Sequence, residues 1–184
     1  MRFRLSMVLL TVLMLGAGLA LSQGEISFND ARVAATFAGA GEPSTARAAI
    51  KAGLERHAGA LDIAVGDFTD IPLQFVLVRL SSQRPIRLLL NRGGVDSAQE
   101  ELICDQLQSL FDVRFAEALE HRFAVVGATG VVLSSSDWTA QSLDSAAQTV
   151  VEIESTDVAQ AFSQQFEQLW HGSSASCTDE LELP

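Results

Sequence analysis

Two hydrophobic rhythms take turns along this chain. The stretch RVAATFA (Arg32–Ala38) is short, apolar and β-branched in part, and it predicts a strand. GAGEPS then breaks the chain, with Ser44 as a candidate N-cap. In TARAAIKAGLERH, the residues Ala46, Ala49, Ile50, Gly53, Leu54 and His57 recur at helical spacing and share one face. ALDIAVGDF (Ala60–Phe68) returns to a period of two, with Leu61, Ile63 and Val65 on one side. Asp70 can cap the helix IPLQFVLVRLSS, where Pro72 is tolerated in the first turn. PIRLLLN (Pro85–Asn91) is a buried-looking strand ended by RGG, and Asp96 can cap SAQEELICDQLQSL. The second half is richer in strands: FDVRF, then RFAVV and VVLSS about the tight turn GATG, then TVVEIES. Asp157 opens a last helix to Trp170, with Val158, Phe162, Phe166 and Leu169 as its apolar stripe.

Helices interleaved with strands predict an α/β sandwich. Several strands are almost unbroken apolar runs, so the expected sheet is mixed, mostly parallel and covered by helices on both faces. The length of 184 residues suits one domain. Residues 1–22 fall outside it. Arg2 and Arg4 precede an uncharged apolar run, Met7–Leu21, and Ala20 and Ser22 are small residues at a cleavage site. This is the layout of a cleaved secretory signal, with an uncleaved membrane anchor as the alternative. The domain is then expected over residues 23–172, followed by a flexible tail over 173–184. The protein is expected to be exported, to the periplasm or beyond.

Charge narrows the partners. The formal net charge is −11, and loss of Arg2 and Arg4 with the signal makes it −13. Such a surface repels nucleic acid and anionic lipid at long range. Membrane contact is expected only through an uncleaved N-terminus. Cys104 and Cys177 are the two cysteines, and an oxidising compartment would permit their pairing. Neither has zinc-site spacing, and no cofactor motif is present.

The order VAATFAGAGEPSTARAAIKAGLERHAGALDIAVGDFTD resembles the opening half of phospholipase D-like domains. There a strand ending in Phe leads to a helix and then to a strand of the type I-D-I-A-x-x-x-F-T-D, which Leu61–Asp70 match closely. PIRLLLNRGG stands at the next parallel strand, VVGATGVVLSSSDWT resembles the strand, turn, strand and G-S-x-N-W-T segment, and AFSQQFEQLW resembles the closing helix. The likeness runs from about Arg32 to Trp170, and in size it is nearest to exported single-domain nucleases of that superfamily. It implies one half-domain of the phospholipase D-like fold.

The resemblance also implies a chemistry. A histidine attacks phosphorus, a lysine two residues on holds a phosphate oxygen, and a downstream aspartate orients the histidine. A second histidine, from another copy of the motif, protonates the leaving group. A single-copy chain must therefore dimerise to supply both. Anchored on Trp138-Thr139, the family's asparagine falls on Asp137 and its Gly-Ser pair on Ser134-Ser135. The motif's aspartate falls on Gly127, its lysine on Arg122 and its histidine on Glu120, and a later acidic residue falls on Gln148. Only Arg122 and Ser135 are conservative matches.

His121 lies one residue from the nucleophile position, but side chains of a strand alternate faces, so it should turn away from Arg122. Glu120 and Asp137 would meet a phosphate in a site that needs cations. One carboxylate ~4 Å from a phosphate charge costs up to about 4 kcal/mol at an effective dielectric of ~20. A Glu120–Arg122 pair on one strand face would offset one of them. His57 and His171 read as helix-end cations, and Trp138 and Trp170 as core anchors. The expectation is an exported domain that has lost the catalytic set and acts as a binding or structural partner, as a homodimer or beside an active relative. Its rivals are a phosphodiesterase, phospholipase D-type or nuclease, with a rearranged site that uses His121, and a metal- or small-molecule-binding module that uses Glu120 and Asp137.

Overall fold

The computed structural model describes residues 31–39, 43–94, 107–145 and 147–175. The expected signal segment, Cys104, Cys177 and most of the helix expected from Ser97 lie outside the described residues. Eight strands form one sheet: β1 (Arg32–Ala38), β2 (Leu61–Ala64), β3 (Ile86–Asn91), β4 (Asp112–Ala116), β5 (Phe123–Val126), β6 (Gly130–Ser134), β7 (Gln148–Glu154) and β8 (Ser174–Ala175). Their order across the sheet is β1-β7-β6-β5-β2-β3-β4-β8.

The sheet is mixed, as expected, but it is not mostly parallel. Only β2, β3 and β4 run parallel to one another. Every other neighbouring pair is antiparallel. The reason lies in the connections. Parallel neighbours need a crossover, which α2 (Ile71–Ser81) supplies between β2 and β3. The three-residue turn 127–129 between β5 and β6 can only fold the chain straight back.

Helices cover both faces, and strand alternation divides the core accordingly. On one face α1 (Pro43–Arg56) contributes Ala46, Ile50 and Leu54, and α2 contributes Leu73, Val76, Leu77 and Leu80. They pack on Leu61, Ile63, Leu88, Leu90, Ala124 and Val132. On the other face α4 (Thr156–His171) lays Val158, Ala159, Phe166 and Trp170 on Ala64, Leu89, Phe123, Val125 and Val131. Trp170 is a core anchor, as its sequence position implied.

Local chemistry sets the helix ends. Asp70 caps α2 by accepting the Leu73 N–H at 3.0 Å, with Pro72 in the first turn. Ser155, not Asp157, caps α4, through an oxygen that accepts the Val158 N–H at 3.4 Å. The helix α1 begins at Pro43, so Ser44 stands inside its first turn and not at the N-cap position. At the start of the polar tail, Ser174 and Ala175 pair with Phe115 and Arg114 and cover the outer edge of β4. A short helix, α3 (Ala140–Ser145), follows the SSSDWT segment.

Candidate functional site

The parallel strands β2 and β3 end at the sheet margin where β5 and β7 begin and β1 and β6 end. Ligands of open α/β sheets gather beyond such carboxyl ends. Here the chain after β2 is fastened to the chain after β6. Trp138 N–H donates to the Asp67 carbonyl at 3.0 Å, and the Trp138 carbonyl accepts from Thr69 and Asp70 N–H at 3.2 and 2.9 Å. The fully buried Trp138 ring meets Phe68 edge to face at 5.9 Å, and its indole N–H reaches Ser134 Oγ at 3.0 Å. Trp138 is thus a core anchor as expected, and it also orders the polar loop beside it.

That loop delivers Asp137 into a three-donor contact. Asp137 Oδ1 accepts Arg122 Nε–H at 3.1 Å and Gly66 N–H at 2.9 Å, while Oδ2 accepts Arg122 Nη2–H at 3.2 Å. A Cβ at position 66 would stand 2.8 Å from Oδ1, so glycine is what allows this approach. The expected Glu120–Arg122 pair is correspondingly minor. Arg122 meets the Glu120 backbone carbonyl at 3.2 Å, but the carboxylate stays at 3.9 Å and its side chain is 89% exposed. The planar guanidinium matches a carboxylate edge, and Asp137 lies close enough for both bonds.

Beside this pair, Ser135, Ser136 and Gln148 form a second polar set. Buried Gln148 accepts at Oε1 from Ser135 Oγ at 2.9 Å and Ser136 Oγ at 2.6 Å. Its amide nitrogen donates to the Ser142 carbonyl at 2.8 Å. Ser135 Oγ in turn accepts the Thr149 N–H at 3.0 Å. Ser134 donates to the Ser136 carbonyl at 2.9 Å. Activation of a serine needs a base that can take its proton, and a carboxamide cannot. These hydroxyls hold loops together.

Below the loops sits a further ion network. Arg47 of α1 binds Asp70 through Nε at 2.9 and 3.0 Å and through Nη2 at 2.7 Å, and it also reaches Asp144 of α3 at 2.7 Å. The hydrogen bond to Asp70 is the main reason the Arg47 pKa is raised. This network fixes the start of α2 against α1 and α3, next to the backbone that carries Gly66 and Trp138.

Arg122, Ser134, Ser135, Asp137 and Gln148 share this margin. Gly127 does not join them. It lies in the β5–β6 turn at the far end of β5, at φ 61°, and donates its N–H to the Ala60 carbonyl at 2.8 Å. A Cβ there would be 2.1 Å from the Ala58 carbonyl oxygen. His121 also stays apart. Its ring packs edge to face on Phe123 at 5.7 Å, and Phe123 on Phe162 of α4 at 5.0 Å, so it lies on the α4 side of the sheet. Desolvation lowers its pKa. His57 follows the last residue of α1 and approaches Thr129 Oγ1 at 3.5 Å. His171 ends α4 and approaches Glu167 at 3.6 Å. Among the described residues no group of three or more histidine, cysteine or acidic side chains could hold a metal ion. Gly66, Ser136 and Arg47 are the participants that sequence reasoning missed. The only signal for Gly66 was a small residue two positions past the end of β2, a strand that ends at the site.

An α/β sheet with this order, and a polar margin built from the β2, β5 and β6 ends, defines a phospholipase D-like domain. The chain belongs to the family described as cardiolipin synthase, PLD-like domain, whose model matches residues 56–170. No curated protein sequence matches it. Among solved structures it is similar to NucT from Helicobacter pylori, with a TM-score of 0.67 and 11% identity over 80% of this chain and 100% of that one. It is also similar to Nuc from Salmonella typhimurium, a phospholipase D family member, with a TM-score of 0.70 and 14% identity over 80% and 99% of the two chains. A phosphatidylserine synthase from Haemophilus influenzae matches with a TM-score of 0.65 and 10% identity, over 80% of this chain and 40% of that one. Identities this low speak for the shared fold alone. Among the described residues no helix is long and apolar enough to cross a membrane.

Proposed function

We propose that this chain is an exported phospholipase D-like domain without the family's hydrolytic chemistry, acting as a binding or structural partner, as a homodimer or beside an active relative. The observation that carries the reading is the contact of Arg122 and Gly66 with Asp137. A phosphodiesterase of this type needs a nucleophile and a free cation at the phosphate. By the register of the resemblance the nucleophile position falls on the exposed Glu120, and Arg122, at the lysine position, is engaged by the Asp137 carboxylate. His121, the histidine nearest in sequence, packs on the opposite face with Phe123. The negative charge of the chain further disfavours phosphate polymers as ligands.

The test is a turnover assay of the purified protein on bis(p-nitrophenyl) phosphate, with and without divalent metal. No turnover above buffer is expected. Turnover abolished by His121→Ala would overturn the reading in favour of a rearranged phosphodiesterase. Turnover lost with Glu120→Gln or Asp137→Asn would instead point to a carboxylate or metal mechanism. Export rests on the three-part N-terminus, and mass spectrometry of the mature protein should find Gln23 as its first residue. Light scattering should give twice the chain mass if two copies pair, and the chain mass otherwise.

A further inference from the structure

We propose that the open edge of β1 pairs with the β1 edge of a second copy, antiparallel about a twofold axis at Ala35, so that two domains share one continuous sheet. The contact concerns the sheet edge rather than the Arg122 margin, and it stands whether or not the chain hydrolyses phosphodiesters. The two ends of the sheet are treated unequally. At one, β8 pairs with β4 over two residues, a strand too short to template another. At the other, β1 runs for seven residues and, among the described residues, has β7 as its only neighbour. Its outward-facing N–H and C=O groups have no strand to pair with there. Edge strands usually carry a protective device, such as a lysine, a proline or a bulge. RVAATFA has neither lysine nor proline, and its pairing with β7 runs without a bulge from Arg32–Glu154 to Ala38–Gln148.

The side chains beside that edge are apolar and uncovered. Val33, Ala35 and Phe37 stand opposite Ile153, Val151 and Thr149 of β7, on the face that α4 covers further in. None of the three belongs to the core beneath α4, and Val33 and Phe37 are 53% and 74% exposed. Free backbone groups flanked by an apolar row are the two features that strand addition uses. The occupant is a second copy because the strand is complementary to itself. In an antiparallel pair centred on Ala35, Val33 of one copy meets Phe37 of the other, Ala34 meets Thr36, and Arg32 meets Ala38. Ala35 is the midpoint of the strand, so this register uses all seven residues and keeps both apolar rows on one face. A β-branched residue against an aromatic one is a favourable cross-strand pair, and it occurs twice about the axis. Charge also singles out this edge. The chain carries 23 acidic residues and a net charge of −11, so most of its surface repels a second copy, whereas Arg32 is the sole charged residue of β1.

The test is sedimentation velocity of the purified protein over a range of concentrations. One strand pair makes a small, reversible interface, so the dimer should form with a dissociation constant on the order of 10 µM. Ala35→Lys sets two ammonium groups against each other at the axis and should weaken the dimer about tenfold. Val33→Lys should weaken it to a similar degree, and Phe37→Glu added to Val33→Lys should restore most of the loss, because position 33 of each copy faces position 37 of the other. Within one copy those positions are about 13 Å apart along the strand, too far to pair. All three positions are exposed, and circular dichroism with a thermal melt checks the fold of each variant. Ala35→Cys serves should the charges unsettle β1. On oxidation it should form a covalent dimer beyond the wild-type level, since facing Cα atoms about 4.5–5.5 Å apart suit a disulfide. Val33→Cys should not, its two copies standing about 13 Å apart. A wild type that stays monomeric at about 200 µM, well above that constant, would overturn the proposal and leave the edge to another part of the chain or to a different protein. A dimer indifferent to Ala35→Lys, and not trapped by Ala35→Cys, would overturn it in favour of pairing through another face. Failure of Phe37→Glu to rescue Val33→Lys would refute the twofold register.

Discussion

Asp70 is the residue whose removal should reach furthest through the domain. It is fully buried, caps α2 through the Leu73 N–H, and binds the Arg47 guanidinium on both oxygens. Asp70→Ala takes away the cap, worth about 1 kcal/mol, and strips a largely buried arginine of its main partner. Breaking a buried ion pair from one side costs about 3–5 kcal/mol, and Arg47 keeps Asp144, which places this case near the lower end. The total should be about 4 kcal/mol. With an m-value of about 2 kcal/mol/M in urea, the unfolding midpoint should fall by about 2 M. Asp70→Asn preserves a capping oxygen and should cost roughly half as much. A double-mutant cycle with Arg47→Leu isolates the pair, and the coupling should be about 2–3 kcal/mol. Both quantities come from equilibrium urea unfolding followed by far-UV circular dichroism. A loss below about 1 kcal/mol for Asp70→Ala, or coupling near zero, would show that the clamp between α1, α2 and α3 contributes nothing to stability.

Three further outcomes follow from geometry already described. Gly127→Ala should destabilise by more than the ~1–2 kcal/mol cost of a left-handed backbone, because its Cβ would strike the Ala58 carbonyl, and thermal unfolding will show it. The Glu167 carboxyl is held below its usual value of 4.5, chiefly by the Arg87 hydrogen bond, which outweighs the opposing effect of burial. The stability this contributes is complete above that value and is lost as pH falls through the lowered one, so Glu167→Gln should flatten the acid limb of a stability-versus-pH curve. Desolvation lowers the His121 pKa, so its NMR titration should have a midpoint below 6.5; a midpoint at or above 6.5 would contradict its packing on Phe123.

Much of the fold was legible because its signals are local. Strand β1 falls on the residues its composition predicts, and α2 starts where Asp70 and Pro72 say it should. The sheet's direction was not legible. Apolar runs such as LLLN report burial on both faces, and a central antiparallel strand such as β5 is buried in the same way as a parallel one. Ser44 looked like a cap because capping residues are also common in first turns, and only backbone geometry distinguishes the two. Arg122, Ser135, Asp137 and Gln148, the positions that distance from Trp138 assigns to the family site, stand at one sheet margin. Gly127 stands away from that margin because it belongs to the turn, where a positive φ decides the residue. The partner of Arg122 was misjudged for a simpler reason. Glu120 is near in sequence, but the Trp138 loop brings Asp137 across a sheet neighbour, and that contact is invisible in one dimension.

The place of β1 has an implication for how the chain assembles. Among the described residues Arg32–Ala38 pairs with β7 alone, Ala38 opposite Gln148 and Arg32 opposite Glu154, so the first of the described strands has its hydrogen-bonded neighbour near the end of the domain. Strands β2 to β6 can pair among themselves while β1 waits. Closing that last ladder spans almost the whole sequence and belongs to the slow, non-local class of folding steps. Until β7 arrives, Val33 and Phe37 have no strand beside them, and even in the finished domain both remain largely exposed. The completed sheet therefore keeps an exposed edge at a strand made before all the strands it must join, which is where a chaperone or a second chain would find the unfinished molecule longest.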